Sequence, residues 1–397
     1  MAATERQLLS QEFLELVPAA ARNYAESLRL PKGGSVLFIT DQQTDDVNVV
    51  ARRELSKSIA GLVRSEGHQT LSLEFDEETS YEDMFEQTAS AMQILEDGNS
   101  EEQRTTVVYI GDQWTNRWGM YDSIAVHSTQ VREARIGISP QANISDITVM
   151  SQITPDRLAG IKEGIDYFEQ FFKENPKGTF VIKTEKDGVE GKLVVKYDTS
   201  QAPYAHSKGV LDDDNPNPIS TDHGTIFNGG NVLGPESYGT PYPFEESQGT
   251  FVTKEGIKIT VEDGYMITAE NWEEAYESLE DKQKQIIDIL NERARLQEAD
   301  QEYEHMKVAL SELGLGPFRM VGIDDIPSDC TTLFMEKLGP HAGGGKAPGI
   351  TAEEDALNDA ANRVGFSHTD FVMSPNTTIT FISDDEEVKP FYPPQSL

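Results

Sequence analysis

The chain has 397 residues, 37% of them hydrophobic and 8% aromatic, so it can bury the cores of two domains or of one large and one small domain. Its 33 basic and 69 acidic residues leave a formal net charge of −36, which disfavours nucleic acid and anionic membranes as partners. We expect no signal peptide and no membrane span, and the single cysteine, Cys330, excludes an internal disulfide and a four-cysteine zinc site. The composition predicts a cytoplasmic protein in which histidine, aspartate or glutamate must hold any metal ion.

Strand and helix signals alternate in the first part of the chain. In order, the pattern predicts a strand at 34–39, a helix at 49–66, a strand at 70–75, a helix at 81–95, a strand at 105–110, a weaker strand at 134–138 and a helix at 156–174. Such alternation is typical of a doubly wound α/β domain with a mostly parallel sheet. No G-x-G-x-x-G follows any of these strands, so the sequence does not support a nucleotide site.

After Pro176 the pattern changes to closely spaced strands. Segments 179–182 and 192–197 flank the turn residues Asp187-Gly188, which is typical of a hairpin, and further strands are predicted at 249–254, 257–261 and 265–268. Apolar residues three or four apart then predict a long helical segment over 272–313, with a break or bend. We therefore predict an α/β domain at 1–178 and an α+β domain with a metal site at 179–397.

Two pairs of polar residues near the carboxyl end could bind a metal ion. His368 and Asp370 are two residues apart, so a strand would place both side chains on one face, where they could reach the same ion. Upstream, Glu336 and His341 offer the same two ligand types, followed by glycines at 343–345 that allow a close approach. Imidazole and carboxylate ligands suit zinc, cobalt, manganese or iron.

Two further glutamates lie in unusual positions. Glu312 is expected at the carboxyl end of the long helix, where the helix dipole disfavours a negative charge and a nearby cation would offset it. Glu236 follows Gly234-Pro235 in a constrained turn between strands. Each of these acids also fits an ordinary surface or capping role.

Taken in order, these residues resemble the ligand series of the aminopeptidase T family of dinuclear metalloaminopeptidases. The resemblance extends over about residues 178–375, and it rests on these positions: Glu236, Glu312, Glu336, His341, His368 and Asp370. It implies that these six residues hold two divalent ions (zinc, cobalt or manganese), that the protein removes amino-terminal residues from peptides, and that it forms a homodimer. Among the ligands, Glu236 or Glu312 is a candidate general base.

The sequence also departs from that family. The family carries a tyrosine soon after the first histidine, and here no tyrosine occurs between Tyr303 and Tyr392. Lys337 is a candidate to replace it as electrophile, and a solvated lysine is the alternative. A second hypothesis is a ring-cleaving dioxygenase, similar in fold to the family, that acts on a dihydroxylated heteroaromatic small molecule and uses one Fe(II) held by His341, His368 and Asp370. A third is a binding protein without catalysis.

Overall fold

The structure is a computed structural model. It describes residues 8–42, 44–98, 105–112, 117–131, 135–138, 142–199, 204–207, 219–221, 224–226, 229–231, 236–239, 246–303, 306–324, 326–327, 329–345 and 369–393. In this part of the chain, no helix has both the length and the apolar character needed to cross a membrane.

The α-helices are α1 (Gln11–Leu28), α2 (Val47–Ser65), α3 (Tyr81–Asp97), α4 (Trp118–Val131), α5 (Ile144–Gln152), α6 (Pro155–Glu174), α7 (Asp281–Glu298) and α8 (Thr332–Met335). Short 3-10 turns cover Tyr276–Ser278, Phe318–Val321 and Glu336–Leu338. The strands are β1 (Ser35–Asp41), β2 (Gln69–Phe75), β3 (Thr105–Ile110), β4 (Arg135–Ile138), β5 (Lys177–Lys186), β6 (Val189–Asp198), β7 (Tyr204–Ser207), β8 (Ile219–Thr221), β9 (Gly224–Ile226), β10 (Gly229–Asn231), β11 (Glu236–Gly239), β12 (Gln248–Val252), β13 (Lys258–Glu262), β14 (Tyr265–Glu270), β15 (Val308–Leu315), β16 (Pro340–Gly344), β17 (Thr369–Val372), β18 (Thr378–Ile382) and β19 (Val388–Tyr392).

The chain divides into two compact units. The first unit comprises Met1–Ala159, Ser207–Pro235 and Ile326–Phe334, and the second comprises Gly160–His206, Glu236–Asp325 and Met335–Leu397. Each unit is assembled from segments that are far apart in the sequence. The domain boundary predicted near residue 178 stays a prediction.

The first unit contains the predicted parallel sheet. Its five strands run in the order β10-β4-β3-β1-β2, and every pairing is parallel. β1 and β3 are buried along their whole length, as their continuous apolar runs predicted, and helices α2 and α3 begin where Asp46 and Ser80 cap them. The parallel sheet with its helices confirms a mixed α/β fold, and the doubly wound arrangement predicted for this part of the chain stays a prediction.

The second unit is built on a large, curled antiparallel sheet. Along its main path the strands follow the order β17-β16-β15-β14-β13-β12-β6-β5-β18-β19, and β11 pairs with β15 beside it. The predicted hairpin is present as β5 and β6, and its turn residues Asp187 and Gly188 both have positive φ angles, 52° and 81°. Phe171 of α6 packs against this sheet, with its ring centroid 4.5 Å from that of Phe391.

The helical prediction for 272–313 is wrong at both ends. Residues 272–280 form turns, including the short 3-10 turn Tyr276–Ser278, before the helix begins at Asp281. The helix α7 ends at Glu298, Asp300 takes a left-handed conformation with φ of 53°, and Val308–Leu315 forms the strand β15. Every residue of β15 is buried, and a short run of this kind gives the same apolar spacing whether it is a strand or a helix. Glu312 therefore lies inside a strand, and the interpretation that placed it at a helix end is also wrong.

Candidate metal centre

Three neighbouring strands of the second unit carry the polar residues of the candidate site. Glu312 lies on β15, His341 on the adjacent β16 and Asp370 on β17, the next strand in the sheet. Glu312 and Asp370 both pair with Gly343 of β16, from its two sides. Because paired residues share a face and side chains alternate along a strand, His341 lies on that face as well.

A β-bulge at Ser311 places Glu312 on this face. Leu310 pairs with Gly344, yet Glu312, two residues later, pairs with Gly343, so one residue of β15 is left over. In an uninterrupted register Glu312 would pair with Ala342 and its carboxylate would point to the other side of the sheet. The Ser311 hydroxyl also lies 3.4 Å from the Gly343 carbonyl oxygen, to which it donates.

The three side chains are buried and close together. Glu312 and Asp370 are each 4% exposed and His341 is fully buried, and one ligand atom of each lies within 4.8 Å of those of the other two. Nε2 of His341 is 3.2 Å from Oε1 of Glu312. Within the described parts of the chain, this is the group of histidine, cysteine and carboxylate side chains that could hold a metal ion.

The hydrogen bond of the other ring nitrogen of His341, Nδ1, decides whether Nε2 faces the Glu312 carboxylate with a proton or with a lone pair. Nδ1 is 3.3 Å from the carbonyl oxygen of Gly339, which can only accept, so Nδ1 carries a proton. A neutral ring then directs the lone pair of Nε2 at the carboxylate oxygen of Glu312. A proton or a cation has to lie between these two acceptors.

Backbone contacts hold the strands that carry the ligands. In the first turn of α7, the side-chain amide of Gln283 donates to the backbone oxygen of Asp370 over 2.7 Å. The backbone N–H of Gly316 donates to the Gly339 oxygen over 3.0 Å, so the acceptor that orients His341 is itself held by β15 and the residue after it. Hydrogen bonds to the group that a ligating histidine contacts with its other ring nitrogen help to fix the orientation of the ring at metal sites.

The donor set fits a divalent transition metal. Two buried carboxylates without a cation would be strongly unfavourable, and one imidazole nitrogen with carboxylate oxygens suits zinc, manganese, cobalt or iron. Glu312, His341 and Asp370 are the residues that would hold the ion.

Two other predicted site residues form a pair of their own. Glu336 and Lys337 occupy the short 3-10 turn before β16, and both are buried. The Lys337 ammonium donates to Oε1 of Glu336. The ligand atoms of Glu336 are not part of the group of three, and the metal-binding role predicted for Glu336 and the catalytic role predicted for Lys337 stay predictions.

The last two predicted ligands are described in part or not at all. Glu236 begins β11, which pairs with β15 through Ser237 and Leu315, so its backbone lies in the strand beside the one that carries Glu312. Its side chain lies outside the described residues, as does all of His368, which directly precedes β17. Ser311 and Gln283 were not among the predicted site residues, and the only signal for either in the sequence is the position of Gln283 near the start of a helix.

Comparisons with known proteins give distant structural matches. No family model matches the chain, and no curated protein matches it. Among solved structures, wild-type AmpT from Thermus thermophilus, an aminopeptidase T, is similar with a TM-score of 0.47 and 15% sequence identity, over 94% of this chain and 97% of that one.

Proposed function

We propose that Glu312, His341 and Asp370 hold a divalent metal ion and that the protein is a metal-dependent hydrolase that removes amino-terminal residues from peptides. The observation that carries the metal site is the contact of Nε2 of His341 with Oε1 of Glu312 over 3.2 Å, with Nδ1 already donating to Gly339. All three ligands also belong to the series that the sequence resemblance singled out. The resemblance supports the choice of peptides as substrates.

The ion and the residues of the chain have different roles in the proposed reaction. A bound divalent ion supplies Lewis-acid polarisation of a carbonyl and lowers the pKa of a water molecule. His341 holds the ion with its neutral ring, because Gly339 keeps the proton on Nδ1. A glutamate left free or only loosely bound to the ion, Glu236 or Glu312, would accept the proton of the attacking water and pass it to the amine that leaves. Burial of Glu312 and Asp370 keeps bulk water from the ligands and strengthens the electrostatic interactions.

The resemblance implies two ions, held by all six of its residues. It also implies a homodimer, and the composition suggests a cytoplasmic location. The described ligands account for one ion, and Glu236, Glu336 and His368 would be needed for another.

Light scattering on the purified protein tests the dimer, and a monomer at micromolar concentration would contradict it.

Metal content and turnover together test the function. The purified chain is expected to contain zinc, cobalt or manganese by mass spectrometry and to release 4-nitroaniline from leucine 4-nitroanilide in a reaction that EDTA stops. Glu312→Gln and His341→Ala should lose both the metal and at least a hundred-fold of the activity. Glu255→Gln is the matched control, because Glu255 is a mostly buried acid of the same unit that is paired with Lys254 over 3.4 Å.

Three results would contradict the proposal. Full activity of Glu312→Gln would remove the site from the reaction. Iron as the native metal, with oxygen consumed on a dihydroxypyridine and no anilide hydrolysis, would replace the hydrolase with the ring-cleaving dioxygenase. A protein that binds none of these metals at micromolar concentration would leave only a binding function.

A further inference from the structure

Lys337 is a lysine in an unusual environment. It is 0% exposed, and it is one of the largest fully buried side chains of the described chain. Lysine is rarely buried to this extent unless its ammonium is paired, and here it donates to Oε1 of Glu336, whose side chain is 12% exposed. The two residues form a buried ion pair between neighbours in sequence.

This pair lies against the strands that carry the metal ligands. The turn Glu336–Leu338 contacts β15, β16 and β17. A Cβ atom on Gly316, just after β15, would lie 2.4 Å from the backbone oxygens of both Glu336 and Lys337, so only glycine allows the turn to pack this closely. The close packing of this turn against the end of β15 is therefore built into the backbone.

The buried charges of these elements can be counted. The only ionisable residues on β15, β16, β17 and the described turn are Glu312, His341, Asp370, Glu336 and Lys337, and each of them, backbone included, is at most 9% exposed. With a neutral imidazole, three carboxylates and one ammonium leave two negative charges. One divalent ion neutralises the charges of these five residues, whereas a second ion would need carboxylates from outside this group.

We infer that the Lys337 ammonium takes the place of a second metal ion: it neutralises Glu336, keeps that carboxylate out of the ligand set, and leaves a centre that binds one divalent ion. The inference rests on the proposed metal site and differs from the two-ion site that the resemblance implies. It also gives Lys337 a positioning role in place of the electrophile role predicted from the sequence.

The number of ions per chain tests the inference directly. The full-length protein, stripped with EDTA and titrated with Mn²⁺ or Zn²⁺, is expected to bind one ion by calorimetry and by mass spectrometry of the dialysed sample. Lys337→Met keeps a flexible chain of similar size without the charge, so it frees Glu336 and should bind a second ion, at least ten-fold more tightly than any second ion in the wild type. Lys254→Met removes the charge from another pair of sequence neighbours, Lys254 and Glu255, and should still bind one.

Each outcome has one meaning. Two tightly bound ions in the wild type overturn the inference and leave the proposed function standing, whereas no bound ion overturns the proposed function and this inference with it. A folded Lys337→Met that still binds one ion also overturns the inference. If that variant does not fold, Glu336→Gln decides: its Kd for the first ion should stay within about three-fold of the wild type, and loss of that ion would make Glu336 a ligand.

Discussion

Glu312 and Asp370 face each other across a residue that has no side chain. They lie on the two strands that flank β16, and each pairs with Gly343, which places no side chain between them. The imidazole of His341, two residues earlier on β16, reaches the Glu312 carboxylate instead. Both are almost completely buried. The same closeness that suits an ion makes the two carboxylates repel each other when no ion is bound.

We expect this repulsion to be measurable as stability. In EDTA, Asp370→Asn should raise the free energy of unfolding by about 1 kcal/mol, because it removes one of two buried like charges. With saturating zinc or manganese the wild type should gain about 3 kcal/mol by linkage and the variant almost none. Urea unfolding with and without metal checks both, with the exposed Asp156→Asn as control. A variant that is less stable in EDTA and gains as much from metal as the wild type would contradict the prediction.

The contact between Gln283 and the Asp370 backbone should affect metal affinity, because it holds the strand residue that carries a proposed ligand. Gln283→Ala removes the hydrogen bond to the Asp370 oxygen, which should cost about 1 kcal/mol of stability and weaken metal binding about ten-fold. Stability alone does not isolate this effect, because Gln283 also accepts from the backbone N–H of Glu280 at the start of α7. Titration calorimetry isolates the effect by comparing the metal affinity of Gln283→Ala with that of the exposed Gln285→Ala in the same helix. Equal metal affinities of the two variants would contradict the prediction.

A methyl group at Gly316 should be poorly tolerated. Its Cβ would lie 2.4 Å from backbone atoms of Glu336 and Lys337, which cannot move aside as the end of a side chain would. We expect Gly316→Ala to lower the free energy of unfolding by about 3 kcal/mol. Gly61→Ala, in a helix with no atom within 4 Å of the new Cβ, should instead raise it by about 0.5–1 kcal/mol. Equal effects of the two substitutions in urea titrations would show that the turn shifts freely.

Asp146 predicts a pH dependence of stability that is separate from the metal site. Burial raises the pKa of this carboxyl from 3.8 to about 6, against the opposing effect of hydrogen bonds donated by the backbone of Asn143 and Thr331. The folded state holds this proton more tightly than the unfolded state. The stabilisation is therefore complete below about pH 4 and is lost as the pH rises through about 6.

The measurement is a difference between two proteins. Between pH 4 and pH 7 the wild type should lose about 2–3 kcal/mol more stability than Asp146→Asn, which cannot titrate. Urea unfolding at intervals of half a pH unit gives both curves, and Asp156→Asn, at an exposed position, should follow the wild type. Parallel curves for the wild type and Asp146→Asn would contradict the raised pKa.

The acid excess predicts a response to salt. With a net charge of −36, repulsion within the folded chain should weaken as ions screen it, so the melting temperature should rise between low and molar sodium chloride. Scanning calorimetry in the presence of EDTA excludes an effect of bound metal. A melting temperature that stays flat over this range would contradict the prediction.

The sequence predicted the strands that are buried on both faces and the hairpin that has characteristic turn residues. β1 and β3 are buried on both faces, so their apolar runs identified them, and Asp187-Gly188 identified the β5–β6 hairpin. β10 is Gly-Gly-Asn and has no strand signal of its own, because its place at the edge of the parallel sheet comes from pairing with β4. β15 was mistaken for helix because a fully buried strand does not alternate.

The candidate site was predicted by residue type and order, and its geometry was not. Glu312, His341 and Asp370 were chosen from the sequence, and the structure places their ligand atoms within 4.8 Å of one another. The bulge that turns Glu312 to this face leaves no mark in composition, since Ser311 is an ordinary strand residue. The closeness of Glu336 to Lys337 was visible in the sequence, but the complete burial of the lysine depends on packing that only the fold supplies.

Because of the extra residue at Ser311, the number of residues in β15 decides on which face of the sheet the Glu312 carboxylate lies. A deletion or insertion of a single codon between Leu310 and Glu312 would leave hydrophobic content and net charge nearly untouched, yet it would exchange the inward and outward sets of side chains beyond it. A chain with such a change would keep all three candidate ligands and still turn the Glu312 carboxylate away from His341 and Asp370.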